Sequence, residues 1–144
     1  MDIPTLDGDG LLPLGIHDCT LAELRDRFGT LQTSDRRCRL YERLEQFVRE
    51  AKLSGVAKYV IVDGSFVTGK ADPNDIDLIV VVPDGHDFDA KLGALAYNTV
   101  SRGQIWRRYR FDAFIAAEGT RQLDEYVSFF QQRREDDRLK GMLS

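Results

Sequence analysis

Residues 64–82 read GSFVTGKADPNDIDLIVVV, and the way this stretch divides decides the fold. Ile76 to Val82 is a run of β-branched and apolar residues, the composition of a strand buried on both faces. Asp72-Pro73-Asn74 before it is turn chemistry, so the chain leaves the glycine-bearing segment for a strand and not for a helix. Asp75 and Asp77 open that strand. Side chains alternate along a strand, so the two carboxylates share one side about 7 Å apart. At an effective dielectric of ~20 and a separation of ~4–7 Å, their repulsion is on the order of 2–4 kcal/mol. A divalent cation would reverse that sign, and a metal site is the first expectation.

Two better-known loops share part of this pattern and fail on its context. Gly64, Gly69 and Lys70 fit the G-x-x-x-x-G-K part of a phosphate-binding P-loop. Ala71 stands where a Ser or Thr is needed, however, and no helix follows to face the phosphates. A calcium loop fails because Ile76 or Ile79 falls where an oxygen ligand is required. A plainer reading also exists: Asp63-Gly64 is a hairpin turn, and Asp75 and Asp77 are solvated strand-end charges. Against it stand Gly64 and Ser65, whose N–H groups and hydroxyl can cradle a phosphate. The strand behind the aspartates is too apolar for an exposed edge, and another carboxylate, Asp112, sits in a later strand.

Working outward, residues 57–62 (AKYVIV) form the preceding strand. Residues 34–54 form a helix with Leu40, Leu44, Phe47, Val48 and Ala51 on one face, ended by Gly55. Thr20 and Glu23 have capping-box spacing for a short helix before it, and residues 1–19 read as an extended arm pinned by apolar side chains. Downstream, residues 87–97 are helical in pattern. Residues 100–109 (VSRGQIWRRY) read either as helix interrupted by Gly103 or as an extended edge. Residues 110–116 (RFDAFIA) form a third strand, and Thr120 caps a last helix to about residue 134. The expected architecture is one α/β (α+β) domain over 1–144, with helices at 20–54, a small mixed sheet core at 57–116 and a carboxyl-terminal helix at 120–134.

Gly64-Ser65, Asp75-Ile76-Asp77 and Asp112 in an apolar strand together resemble the nucleotidyltransferase superfamily, which includes DNA polymerase beta, CCA-adding enzymes, aminoglycoside nucleotidyltransferases and the minimal nucleotidyltransferases of toxin–antitoxin modules. The resemblance spans residues 64–112. It implies that Asp75, Asp77 and Asp112 bind two Mg²⁺ ions, with Mn²⁺ an alternative, and that Asp112 helps deprotonate an attacking hydroxyl. It also implies that Gly64 and Ser65 hold a nucleoside triphosphate such as ATP, with Lys70 or an arginine from elsewhere meeting its phosphates. The chain departs from the minimal type in one respect: Phe66, Val67 and Thr68 stand where an arginine commonly follows Gly-Ser. The implied activity is transfer of a nucleoside monophosphate to a hydroxyl of an RNA end, a protein or a small molecule. The competing reading is a weak or inactive binding module, for example an antitoxin or a partner-binding protein, and a homodimer is compatible with either.

The remaining features narrow the field. With 42% hydrophobic residues in a 144-residue chain there is material for a single core. A net charge of −4 argues against a surface that is one electrostatic trap for nucleic acid. Arg102, Arg107, Arg108 and Arg110 with Trp106 and Tyr109 form a local basic cluster, read either as a phosphate grip with a base-stacking ring or as a solvated edge with an aromatic anchor. Tyr126, Phe129 and Phe130 on the last helix read as core or a dimer face. Cys19 and Cys38 lack metal-ligand spacing and read as ordinary thiols, and His17 and His86 take no role. No apolar run is long enough for a membrane span, and residues 1–20 lack a basic leader segment, so a cytoplasmic protein is expected.

Overall fold

The computed structural model describes residues 16–17, 19–29, 35–64, 76–85, 94–131 and 142–143. Its elements, in chain order, are β1 (Ile16–His17), α1 (Leu21–Leu24) running into a π turn (Arg25–Gly29), α2 (Arg36–Ser54), β2 (Tyr59–Asp63), β3 (Asp77–Val82), α3 (Ala94–Val100), α4 (Arg102–Tyr109), β4 (Asp112–Ala117), α5 (Arg121–Gln131) and β5 (Met142–Leu143). The fold is mixed α+β, as the sequence patterns imply.

The sheet order is β1-β5-β2-β3-β4. β2 and β3 are antiparallel and β3 and β4 parallel, while the two-residue strands β1 and β5 pair parallel at the far edge. β3 lies between long neighbours and is buried from Leu78 to Val82, as its unbroken apolar run requires. Its two faces meet different partners. Leu78 and Val80 pack with Leu44 and Phe47 of α2 and with Ile105 and Tyr109 of α4. Ile79 and Val81 pack with Ile61, Ala116 and Leu123 of α5.

Local signals explain most boundaries. Thr20 Oγ1 accepts from the Glu23 N–H at 3.1 Å and starts α1. Gly55 ends α2 in the left-handed region at φ 69°, its N–H donating to Ala51 O, a conformation that costs glycine nothing. Thr120 Oγ1 accepts from Leu123 N–H at 3.3 Å and caps α5. The apolar face of α2 is as its periodicity implies, with one addition. Arg37 is 1% exposed, and its Nη1 donates to Phe28 O at 3.2 Å, which gives the end of the π turn a partner. Burial lowers the Arg37 guanidinium from its ordinary value.

One open alternative is decided and three expectations change. Residues 102–109 are helix α4 and not the extended edge: Ser101 Oγ accepts from Gln104 N–H at 3.5 Å, and Gly103 falls in the first turn, where its low helix propensity matters least. The strand expected at 110–116 begins at Asp112, because Arg110 takes φ 61° and reverses the chain out of α4. Asp63 belongs to β2 and is not part of a hairpin turn. Ile16–His17, within the expected arm, is a strand. Residues 1–15 and 18 of that arm, the segment 87–93 and the last residues of the expected carboxyl-terminal helix lie outside the described residues.

Candidate functional site

The strand register produces an arrangement that the one-dimensional pattern does not contain. Asp63 of β2 is the direct partner of Asp77 of β3, and Asp77 is the direct partner of Asp112 of β4. Register partners point to the same face, and adjacent strands lie about 4.8 Å apart, so three aspartates form a row across one end of the sheet. Two residues further in, the same face carries the row Ile61, Ile79 and Phe114, all three of which pack in the cluster beneath α5. The carboxylates therefore lie on the α5 side, at the strand ends.

Their surroundings differ. Asp63 is 3% exposed, Asp77 half-buried and Asp112 exposed. Gly64, directly after Asp63, is buried with φ 93°, so the turn out of β2 uses a conformation that side chains with a Cβ rarely adopt. Asp112 is held in place from behind. Tyr109 meets Phe47 edge-on at 5.3 Å and stacks on Phe111 at 6.1 Å, and its hydroxyl donates to Glu50 Oε2. That aromatic chain ties the end of α4 and the start of β4 to α2.

The basic cluster of residues 102–110 does not act as one group. Arg108 pairs with Glu50 at 2.8 Å on α2, Arg107 donates to Gln104 Oε1, and Arg110 lies over the Trp106 ring at 5.5 Å. Tyr109 is a core anchor, 1% exposed. Arg102 alone of the four pairs with the aspartate row, its Nη2 3.6 Å from Asp112 Oδ1, and its guanidinium lies over the Phe114 ring at 4.1 Å.

Of the residues singled out in the sequence, the structure brings together Gly64, Asp77 and Asp112. Asp75, Ser65 and Lys70 lie outside the described residues. Asp63, which the sequence offers either as a support for the turn or as an extra polar group at the site, joins the row through its alignment with Asp77, which exists only once β2 and β3 are in register. Carboxylates on adjacent strands are the hard oxygen donors that Mg²⁺ or Mn²⁺ takes, so the residue types fit such an ion. Among the described residues no three Asp, Glu, His or Cys side chains form a group that could hold a metal ion. A complete ligand set would draw on residues beyond them.

A family model described as a family of unknown function, DUF6932, matches residues 4–144, and the chain belongs to that family. No curated protein and no solved structure matches it. Among the described residues no helix is long and apolar enough to cross a membrane.

Proposed function

We propose that this protein is a divalent-cation-dependent nucleotidyltransferase that moves a nucleoside monophosphate from an NTP to a hydroxyl and releases pyrophosphate. The observation that carries the reading is the register of Asp77 with Asp112 on one face, beside the positive-φ turn at Gly64. Asp75, Asp77 and Asp112 are the proposed ligands of Mg²⁺ or Mn²⁺, and Gly64, Ser65 and Lys70 the proposed contacts to the triphosphate. Bound divalent cations would neutralise charge on the attacking and leaving oxygens of an in-line displacement. The chain's own part is positioning and proton transfer. Asp112, on the exposed flank of the row, accepts the proton of the attacking hydroxyl as its oxygen bonds to the α-phosphorus. The bond from that phosphorus to the bridging oxygen breaks, and pyrophosphate leaves. The acceptor is an RNA end, a protein hydroxyl or a small molecule. A cytoplasmic setting, where NTP and Mg²⁺ are abundant, belongs to this reading.

A second reading, nucleotide or partner binding without turnover as in an antitoxin, is favoured by the sequence Phe66-Val67-Thr68, where the minimal nucleotidyltransferases commonly carry an arginine. Labelled NTPs with Mg²⁺ or Mn²⁺ and a cell extract separate the two. Transfer of label by the wild type, lost in Asp75→Ala and Asp77→Ala, supports the enzyme. Thermal stabilisation by NTP without transfer supports the binding module. At a ligand concentration of 100 Kd the stabilisation should reach about 2.7 kcal/mol, and its absence for all four NTPs would sink the enzyme and reduce the second reading to partner binding alone.

A further inference from the structure

We propose that Arg102 is the cation that meets the triphosphate, exchanging its contact with Asp112 for phosphate oxygens; this rests on the nucleotidyltransferase reading. A row of carboxylates repels a polyanion as strongly as it attracts a cation, so a triphosphate bound here needs positive charge from the protein as well. Arg107, Arg108 and Arg110 are occupied elsewhere, with Gln104, Glu50 and Trp106. Arg102 is the member of the cluster at the row itself.

Its position is not explained by its own helix. Arg102 is the first residue of α4, whose first turn carries no acidic residue. A cation there opposes the positive end of the helix dipole. What offsets it is Asp112, and that contact is loose. At 3.6 Å, with the side chains 56% and 55% exposed, it is longer than a charge-assisted hydrogen bond and of the kind that contributes ~0–1 kcal/mol. Giving it up costs little, and a cation bound at Asp112 would remove the reason for it.

The Phe114 ring supplies what Asp112 does not. Phe114 lies two residues after Asp112, on the same face of β4, and the guanidinium sits over its ring at 4.1 Å. A guanidinium over a ring gives up none of its N–H donors to it and keeps them for two parallel bonds to phosphate, which an ammonium cannot make. The ring itself is held by Tyr126 of α5 at 5.0 Å. Arg102 thus lies across the edge strand, its charge fixed beside the row by a surface that binding does not consume.

The test measures thermal shift and titration calorimetry with Mg²⁺, using each of the four NTPs, the matching monophosphates and inorganic tripolyphosphate, which is independent of base preference. Wild type should bind triphosphates and tripolyphosphate more tightly than monophosphates. Arg102→Ala should weaken triphosphate and tripolyphosphate binding by about tenfold or more, the scale of a hydrogen bond between charged groups, and narrow the preference over monophosphate. Arg102→Lys should fall between, and Phe114→Leu should show a smaller loss. A purely structural arginine would weaken all ligands alike and leave that preference intact, which would overturn the assignment. Equal binding by wild type and Arg102→Ala would overturn it while the nucleotidyltransferase reading stands. Binding of no probe by the wild type would remove both. Should Arg102→Ala fail to fold, Arg102→Gln, which keeps a stem over Phe114 and loses the charge, is read by the same criteria.

Discussion

The two ends of the β2-β3-β4 sheet handle charge in opposite ways. At one end, Lys58 just before β2 and Glu118 just after β4 form an ion pair of 2.5 Å, and their backbone N–H groups donate to Val81 O and Val82 O of β3, each at 2.8 Å. At the other end, Asp63, Asp77 and Asp112 stand in register with the same sign of charge. The first arrangement is what strand-end stability favours. The second opposes it: two charges ~5 Å apart at an effective dielectric of ~20 repel by about 3 kcal/mol. Between the two ends the sheet is ordinary core, so the row stands at its edge as a local cost to stability, of the kind that functional sites carry.

The core supplies the reference against which both ends are read. Leu78 is 0% exposed, one residue inside the row, on the face that packs against α2 and α4. Leu78→Ala should lower stability by about 2–5 kcal/mol through lost burial and a cavity, seen as a fall in the urea midpoint. A loss below ~1 kcal/mol would mean that the centre of the sheet is not packed as described.

Asp77→Asn should move stability the other way. Asn keeps the shape and removes the middle charge of the row, so the urea midpoint should hold or rise, by up to ~1–2 kcal/mol. The gain should shrink as salt screens the repulsion. NTP-dependent stabilisation should be lost in the same variant. A marked destabilisation at every salt concentration would mean that Asp77 is structural, and the contrast between the two ends would collapse.

Much of this architecture is legible in one dimension, for reasons that are local. The run from Ile76 to Val82, the α2 face of Leu40, Leu44, Phe47 and Ala51, and the ends set by Thr20, Gly55 and Thr120 each depend on neighbours within a turn or a strand. The candidate site is legible in its parts, Gly64, Asp77 and Asp112, but not in its assembly. Asp63 joins the row only through the β2-β3 register, and Arg102 reaches Asp112 only because α4 folds back along β4 from the left-handed turn at Arg110. The pairing of Ile16 with Met142 is less accessible still, since two-residue strands carry no period and their partners lie at opposite ends of the chain. In α4, Gly103 suggested a break, while the Ser101 cap and the packing of Ile105 and Tyr109 against α2 decided for helix.

The smallest expected effect tests the paired end. The hydrogen bond from Lys58 to Glu118, and then the attraction of that carboxylate, raise the Lys58 ammonium above its ordinary value of 10.5. A group whose folded value is raised contributes stability that is fully present below its unfolded value and is lost as pH rises through the folded one. Lys58 is solvent-exposed, so the contribution is small. Glu118→Gln should therefore lower the urea midpoint only slightly near neutral pH. The difference from wild type should stay level until about pH 10 and then shrink toward zero as both ammonium groups deprotonate. A difference that persists unchanged above that range would assign the effect of Glu118 to its packing and not to the pair, and the end of the sheet opposite the aspartates would then owe its order to packing and backbone bonds without help from charge.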